Sequence, residues 1–165
     1  MQGEQKYVVD IDDALREHTD MVYKIALSQT KSSNDADDVF QEVFMRLLTH
    51  SHKILSQEHL KAWLIRVTIN CCKKHFRIWR RGDAEIVEEI PYFTPEEHEV
   101  YYTVQELPQK YRTVVHLFYY EEMSIKQISD ALKTRESTVK SQLFRAREML
   151  RETLKGEYGH NAQSV

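Results

Sequence analysis

The sequence predicts an all-α protein: two small helical domains joined by an acidic linker. Three observations carry that prediction. Apolar residues recur every three or four positions along most of the 165-residue chain, with no strand-like alternation. Helix breakers are few, four Gly and three Pro, and Gly82, Pro91 and Pro95 fall in a single interruption. Charge also changes sign in blocks. Residues 59–82 hold seven Lys/Arg and no acid, whereas 83–106 hold eight acids and no Lys/Arg. The net charge of −3 therefore hides two basic segments separated by an acidic one, a pattern that suits two nucleic-acid contacts on one chain.

The first helix spans 11–30, with Leu15, Val22, Ile25 and Ala26 inward. Asn34 is placed to cap the second, which runs to about Thr49 with Asp35 and Asp37 in its dipole-favoured first turn. Its buried side is Ala36, Val39, Phe40, Val43 and Leu47; opposite lie Asp38, Gln41, Glu42 and Met45. A methionine amid exposed polar residues suits an adaptable protein contact, with a plain solvated face as the alternative. Residues 49–58 read as a loop. The third helix, about 57–81, carries Arg66, Asn70, Lys73, Arg77 and Arg80 at steps of four, three, four and three. These residues share one face over roughly 20 Å. Leu60, Trp63, Leu64, Val67 and Cys71 form a second face, and Ile65, Cys72, Phe76 and Trp79 a third. A solvated charged face usually mixes signs. This all-cationic track bordered by aromatics suits a phosphate backbone with unstacked bases beside it.

The interruption at 82–95 holds four acids and no base. It reads as a linker reaching at most about 50 Å when extended. A helix around 96–106 follows, and Pro108 opens another with Tyr111, Val114, Val115 and Phe118 inward. Ser124 and Gln127 are spaced as a capping box for the next helix, in which Ile125, Ile128 and Leu132 recur at helical spacing. After a short turn, Val139, Leu143, Ala146 and Leu150 form the buried stripe of a last helix. Its outer side shows Ser137, Ser141, Phe144 and Arg145, with Lys140 on the flank. Such a face suits a DNA major groove, where Phe144 would meet a thymine methyl, and the pair reads as a helix-turn-helix. Two packed helices of an ordinary bundle are the bland alternative, but residues 133–151 hold six basic side chains against two acids. Residues 156–165 are expected to fray.

Three strings resemble one family, the extracytoplasmic-function sigma factors of bacterial RNA polymerase. DADDVFQEVFMRL (35–47) is similar to the segment that grips the clamp of the polymerase's largest subunit. The resemblance thus implies core-polymerase contacts at Asp38, Gln41 and Glu42, to which the helical face adds Met45. WLIRVTINCCKKHFR (63–77) resembles the segment that binds and melts the −10 element, with Arg66, Asn70 and Arg77 on matching positions. LPQKYRTVVHLFYYEEMSIKQISDAL (107–132) resembles the opening of region 4, and TVKSQLFRAR (138–147), beginning at Thr138, the −35 recognition helix. The resemblance implies region 2 over 11–81, region 4 over 96–155, and core polymerase, promoter DNA and an anti-sigma factor as partners. Four positions depart from the pattern: Thr68 replaces the common Ala, Lys74 the usual Asp, Lys133 the frequent turn Gly and Arg135 the small cap.

The rival reading is a helix-turn-helix regulator that binds DNA without polymerase; it leaves the 34–49 surface and the basic third helix without a task. A third reading is a small enzyme or metal protein using His50, His52, Cys72 and His75, whose spacing fits no zinc finger. No nucleophile–base arrangement and no phosphate-cradling Gly loop appears, so neither catalysis nor a cofactor nor a metal is expected. The adjacent Cys71 and Cys72 are no disulfide framework. No run approaches the roughly 18 apolar residues of a membrane span, and no signal sequence opens the chain. Direct membrane insertion is not expected, and a cytoplasmic location is.

Overall fold

The computed structural model describes the backbone of residues 5–79 and 102–161, and the side chains of 5–75 and 102–155. Every regular element among them is helical. The chain divides into two compact units, Met1–Val87 and Glu88–Val165. The proposed linker, 82–95, lies outside the described residues, as does the first part of the helix expected around 96–106.

In the first unit, α1 (Ile11–Thr30), α2 (Ser33–His50) and α3 (Gln57–Trp79) pack pairwise against one another. Asp10 caps α1, its carboxylate accepting from the Asp13 N–H at 3.0 Å. Lys31 ends α1 in the left-handed region, at φ 57°. The core joins Val22, Ile25, Ala26, Ala36, Val39, Val43, Leu47, Leu60, Leu64 and Ile65, all at most 2 % exposed. Leu15 is only half-buried, whereas Ala14, Met21 and Leu27 are buried.

Four further expectations for this unit are corrected. The cap of α2 is Ser32, whose hydroxyl accepts from Asp35 N–H at 3.4 Å, so the helix begins a residue before Asn34. Asp35 alone remains in its first turn, and Asp37 lies beyond it. Phe40 is half-buried and Phe44 buried, their rings 4.8 Å apart. The stretch 49–58 is also more ordered than a loop. α2 continues through His50, a 3₁₀ turn covers Ser51–Lys53, and Ile54 is anchored at 1 % exposure. Ser56 then caps α3 by accepting the His59 N–H at 3.0 Å. Cys71 and Cys72 are both buried and free of a disulfide.

In the second unit, a helical segment α4 (102–105) precedes α5 (Gln109–Val115), which Pro108 opens. Buried Arg112 joins them, Nη1 donating to the carbonyls of Gln105 (3.2 Å) and Leu107 (3.1 Å). After Val115 the helix widens into one π turn, His116–Tyr120. The extra residue shifts the helical phase, so Leu117 is buried and Phe118, expected inward, is only half-buried.

The helix-turn-helix comes next. α6 (Ile125–Leu132) has the expected capping box: Gln127 N–H donates to Ser124 Oγ (3.1 Å), and Ser124 N–H to Gln127 Oε1 (2.9 Å). Lys133 ends α6 at φ 51°, keeping the left-handed turn that Gly would favour. α7 (Glu136–Asn161) buries Val139, Leu143 and Ala146, with Leu150 half-buried against Val104, Leu107 and Val115. It also runs on to Asn161, through residues expected to fray.

Candidate nucleic-acid interface

Burial of the Val139–Leu143–Ala146 stripe fixes which side of α7 turns outward. Ser137, Lys140, Ser141, Phe144 and Arg145 are all exposed there, Phe144 to 60 %, and Thr138 is half-exposed. The Ser141 hydroxyl donates to the Ser137 carbonyl at 2.9 Å, leaving its lone pairs to accept from a base amino group. Arg147, two residues past Arg145, is held differently. Its Nε donates to the Tyr119 hydroxyl at 2.7 Å, and its guanidinium lies over the Phe118 and Tyr119 rings at 5.6 and 5.7 Å. The π turn that misplaced Phe118 thus gives Arg147 an aromatic seat. Twenty-eight residues separate the partners, too far for helical spacing to show the pair.

On α3, Asn70 and Lys73 are exposed and Arg66 half-buried along the expected stripe; the side chains of Arg77 and Arg80 lie outside the described residues. Beside its N-terminal half, half-buried Trp63 sits 6.1 Å from the His50 ring. Leu55 projects at 76 % exposure while its N–H donates to His59 Nδ1 at 3.0 Å. A buried Ile54 next to an exposed Leu55 fixes how this loop presents itself, and nothing in the sequence periodicity announced it.

α2 exposes Asp38, Gln41 and Met45, the last to 67 %. Leu48, 60 % exposed, extends the same face and was not expected there. A shallow depression of about 440 Å³ is lined by Asp38, Gln41, Glu42, Met45, Arg46 and Thr49. Glu42 differs from its neighbours: it is half-buried, with Oε1 2.6 Å from Arg46 Nη2 and 3.5 Å from Lys74 Nζ. Its Oε2 lies 3.6 Å from His75 Nε2. Burial raises its pKa, but Arg46 and then Lys74 outweigh that, and the carboxyl ends below its ordinary 4.5. Of the residues in the metal reading, Cys72 is buried in the core while His50 and His52 are exposed, and among the described residues no three His, Cys, Asp or Glu side chains come together as a metal site would need.

Residues 14–81 match the family model of sigma-70 region 2, and residues 97–150 that of sigma-70 region 4. The chain is similar to the extracytoplasmic-function sigma factor SigM of Bacillus subtilis, 33 % identical over 86 % of this chain and 93 % of that protein. It belongs to the extracytoplasmic-function sigma factors of the sigma-70 family. SigV of the same bacterium is 29 % identical over 83 % of this chain and 86 % of its own. The fold matches that of the sigma factor RpoE, solved with the anti-sigma factor NepR from Bartonella quintana. The TM-score is 0.76 at 20 % identity, covering 88 % of this chain and 97 % of that one. As a sigma factor, the protein is a transcription initiation factor that directs RNA polymerase to promoters, and it is not an enzyme. Among the described residues no helix is long and apolar enough to cross a membrane.

Proposed function

We propose that the two units of this sigma factor divide one promoter between them. Region 2, residues 11–81, seats on core polymerase through Asp38, Gln41 and Met45, a face that Leu48 extends. Glu42 shares this side of α2 but is already paired within its own unit. The same region takes the melted −10 strand along Arg66, Asn70, Lys73, Arg77 and Arg80. Region 4, residues 96–155, lays α7 in the −35 major groove, where Ser137, Thr138, Lys140, Ser141, Phe144 and Arg145 face the DNA. Residues 82–95 link the two.

The observation that carries this reading is the outward face of α7. Phe144 is 60 % exposed between Ser141 and Arg145, on a helix whose opposite side buries Val139, Leu143 and Ala146. An exposed aromatic flanked by a hydroxyl and a guanidinium matches the methyl and acceptor pattern of a major groove. A cytoplasmic location beside the polymerase belongs to the same reading. An anti-sigma factor as regulatory partner is supported by the RpoE relative, solved with NepR. Run-off transcription with bacterial core polymerase on a genomic promoter library tests the proposal. Promoter-specific starts dependent on this protein are expected; stable, promoter-specific binding by the free protein with no effect on initiation would overturn it.

A further inference from the structure

The resemblance makes Glu42 a polymerase contact, but its surroundings do not resemble those of one. Asp38 and Gln41 turn outward, whereas the Glu42 carboxylate is 25 % exposed and engaged at both oxygens. One partner, Arg46, sits a turn along α2. The other two, Lys74 and His75, come from α3, some 32 residues on. Lys74 stands where the family usually has Asp, which would repel this carboxylate; here the exchanged charge attracts it.

We propose that Glu42 is a positioning residue that clamps the 73–75 turn of α3 to α2, so that the strand-binding stripe of α3 is set relative to the polymerase-seated helix. Lys73, exposed on that stripe, belongs to the clamped turn. A carboxylate shared by one partner on its own helix and two on the next constrains both rotation and slide of α3. An isolated surface pair would constrain little, but here three cationic or cationisable groups converge on a half-buried anion. The inference rests on the assignment of α2 to polymerase and α3 to the −10 strand.

The test compares Glu42→Gln, Lys74→Gln and the double variant in two measurements. Core-polymerase affinity is one; permanganate reactivity of the −10 region, with holoenzyme assembled at saturating protein, is the other. Glu42→Gln should leave core affinity within about twofold and slow promoter opening roughly threefold, the scale of a partly exposed ion pair. The double variant should open promoters no more slowly than the slower single variant, because the two residues act as one unit, while Lys74→Arg, which keeps the charge that Lys74→Gln removes, should open promoters as the unaltered protein does. Glu42→Asp, which keeps the charge on a shorter arm, should give an intermediate opening defect and serves in place of Glu42→Gln should that variant unfold. A tenfold loss of core affinity with normal opening would make Glu42 a polymerase contact and overturn the proposal. So would additive defects, or opening unchanged in Glu42→Gln. Asp38→Lys, measured alongside, separates the two ideas: intact core binding in that variant refutes the α2 assignment, whereas the Glu42–Lys74 cycle reports on the clamp.

Discussion

Arg145 and Arg147 stand two residues apart on α7, and their surroundings separate them. Arg147 is held by the Tyr119 hydroxyl through Nε and lies over two rings; Arg145 has no such seat and points outward. Arg145→Ala should therefore cost about 1–3 kcal/mol of promoter affinity and change the −35 preference, as read by selection from a randomised promoter pool. Lys140→Ala should weaken binding evenly across sequences and reduce the salt slope by about one. Arg147→Ala should instead lower stability and leave base preference alone. Cys71 gives a second residue-scale expectation. Burial chiefly, and the nearby Glu42 carboxylate next, push its thiol from 9.0 up to about 11. The unfolded chain then ionises at a pH where the native one does not, and binds fewer protons. Stability should be unaffected by this group below about pH 9 and fall as pH rises from about 9 to 11. Urea unfolding midpoints across that window should show the decline, and Cys71→Ala should flatten it.

Helix existence was legible in the sequence because it depends on periodic burial, which Val39, Val43 and Leu47 or Val139, Leu143 and Ala146 display at fixed spacing. Helix ends depend on single hydrogen bonds, and there the outcome was mixed. Ser124 and Gln127 close the capping box they were spaced for. Ser32 takes the cap that Asn34 was equally equipped to make, since either side chain can accept an N–H and only the entry path of the chain decides. The π turn at His116–Tyr120 was invisible for another reason: a one-residue widening leaves composition unchanged and alters only the phase of the residues after it. The outward residues of α7, and Asp38, Gln41 and Met45 of α2, were legible because burial of the opposite stripe dictates them; exposed Leu48 was not. The Tyr119 seat of Arg147 and the Glu42 cluster were not, being made by residues far apart in sequence. Two substitutions test the helix ends by urea unfolding. Ser124→Ala should lose about 1 kcal/mol through the missing cap. Lys133→Gly should gain about 1 kcal/mol, because Lys133 holds φ 51° at the end of α6 and Gly carries no Cβ to clash there.

At the scale of the whole molecule, a net charge of −3 is unfavourable for binding DNA, and the protein succeeds by segregating its charge. Seven cations and no acid fall within 59–82, and Lys61, Arg66, Lys73, Lys74 and Arg77 of these belong to α3; the Glu42 carboxylate reaches Lys74 on the flank and leaves Lys73 exposed. Such segregation confines DNA affinity to chosen faces, while the acidic remainder opposes indiscriminate adhesion to the polyanion. The strength of the α3 contact can then be counted in charges. If Arg66, Lys73, Arg77 and Arg80 each neutralise one phosphate of the opened strand, the affinity for single-stranded −10 DNA should fall with salt at a slope near −0.7 per contact, roughly −3 in all. Removing Arg77 and Arg80 together should halve that slope and leave duplex −35 binding, which belongs to the other unit, unchanged. Fluorescence titrations of holoenzyme with a single-stranded −10 oligonucleotide, from about 50 to 200 mM salt, measure it directly. A slope that stays near −3 in the doubly neutral variant would place the phosphates elsewhere on region 2, and full permanganate reactivity with that variant would remove α3 from strand capture altogether.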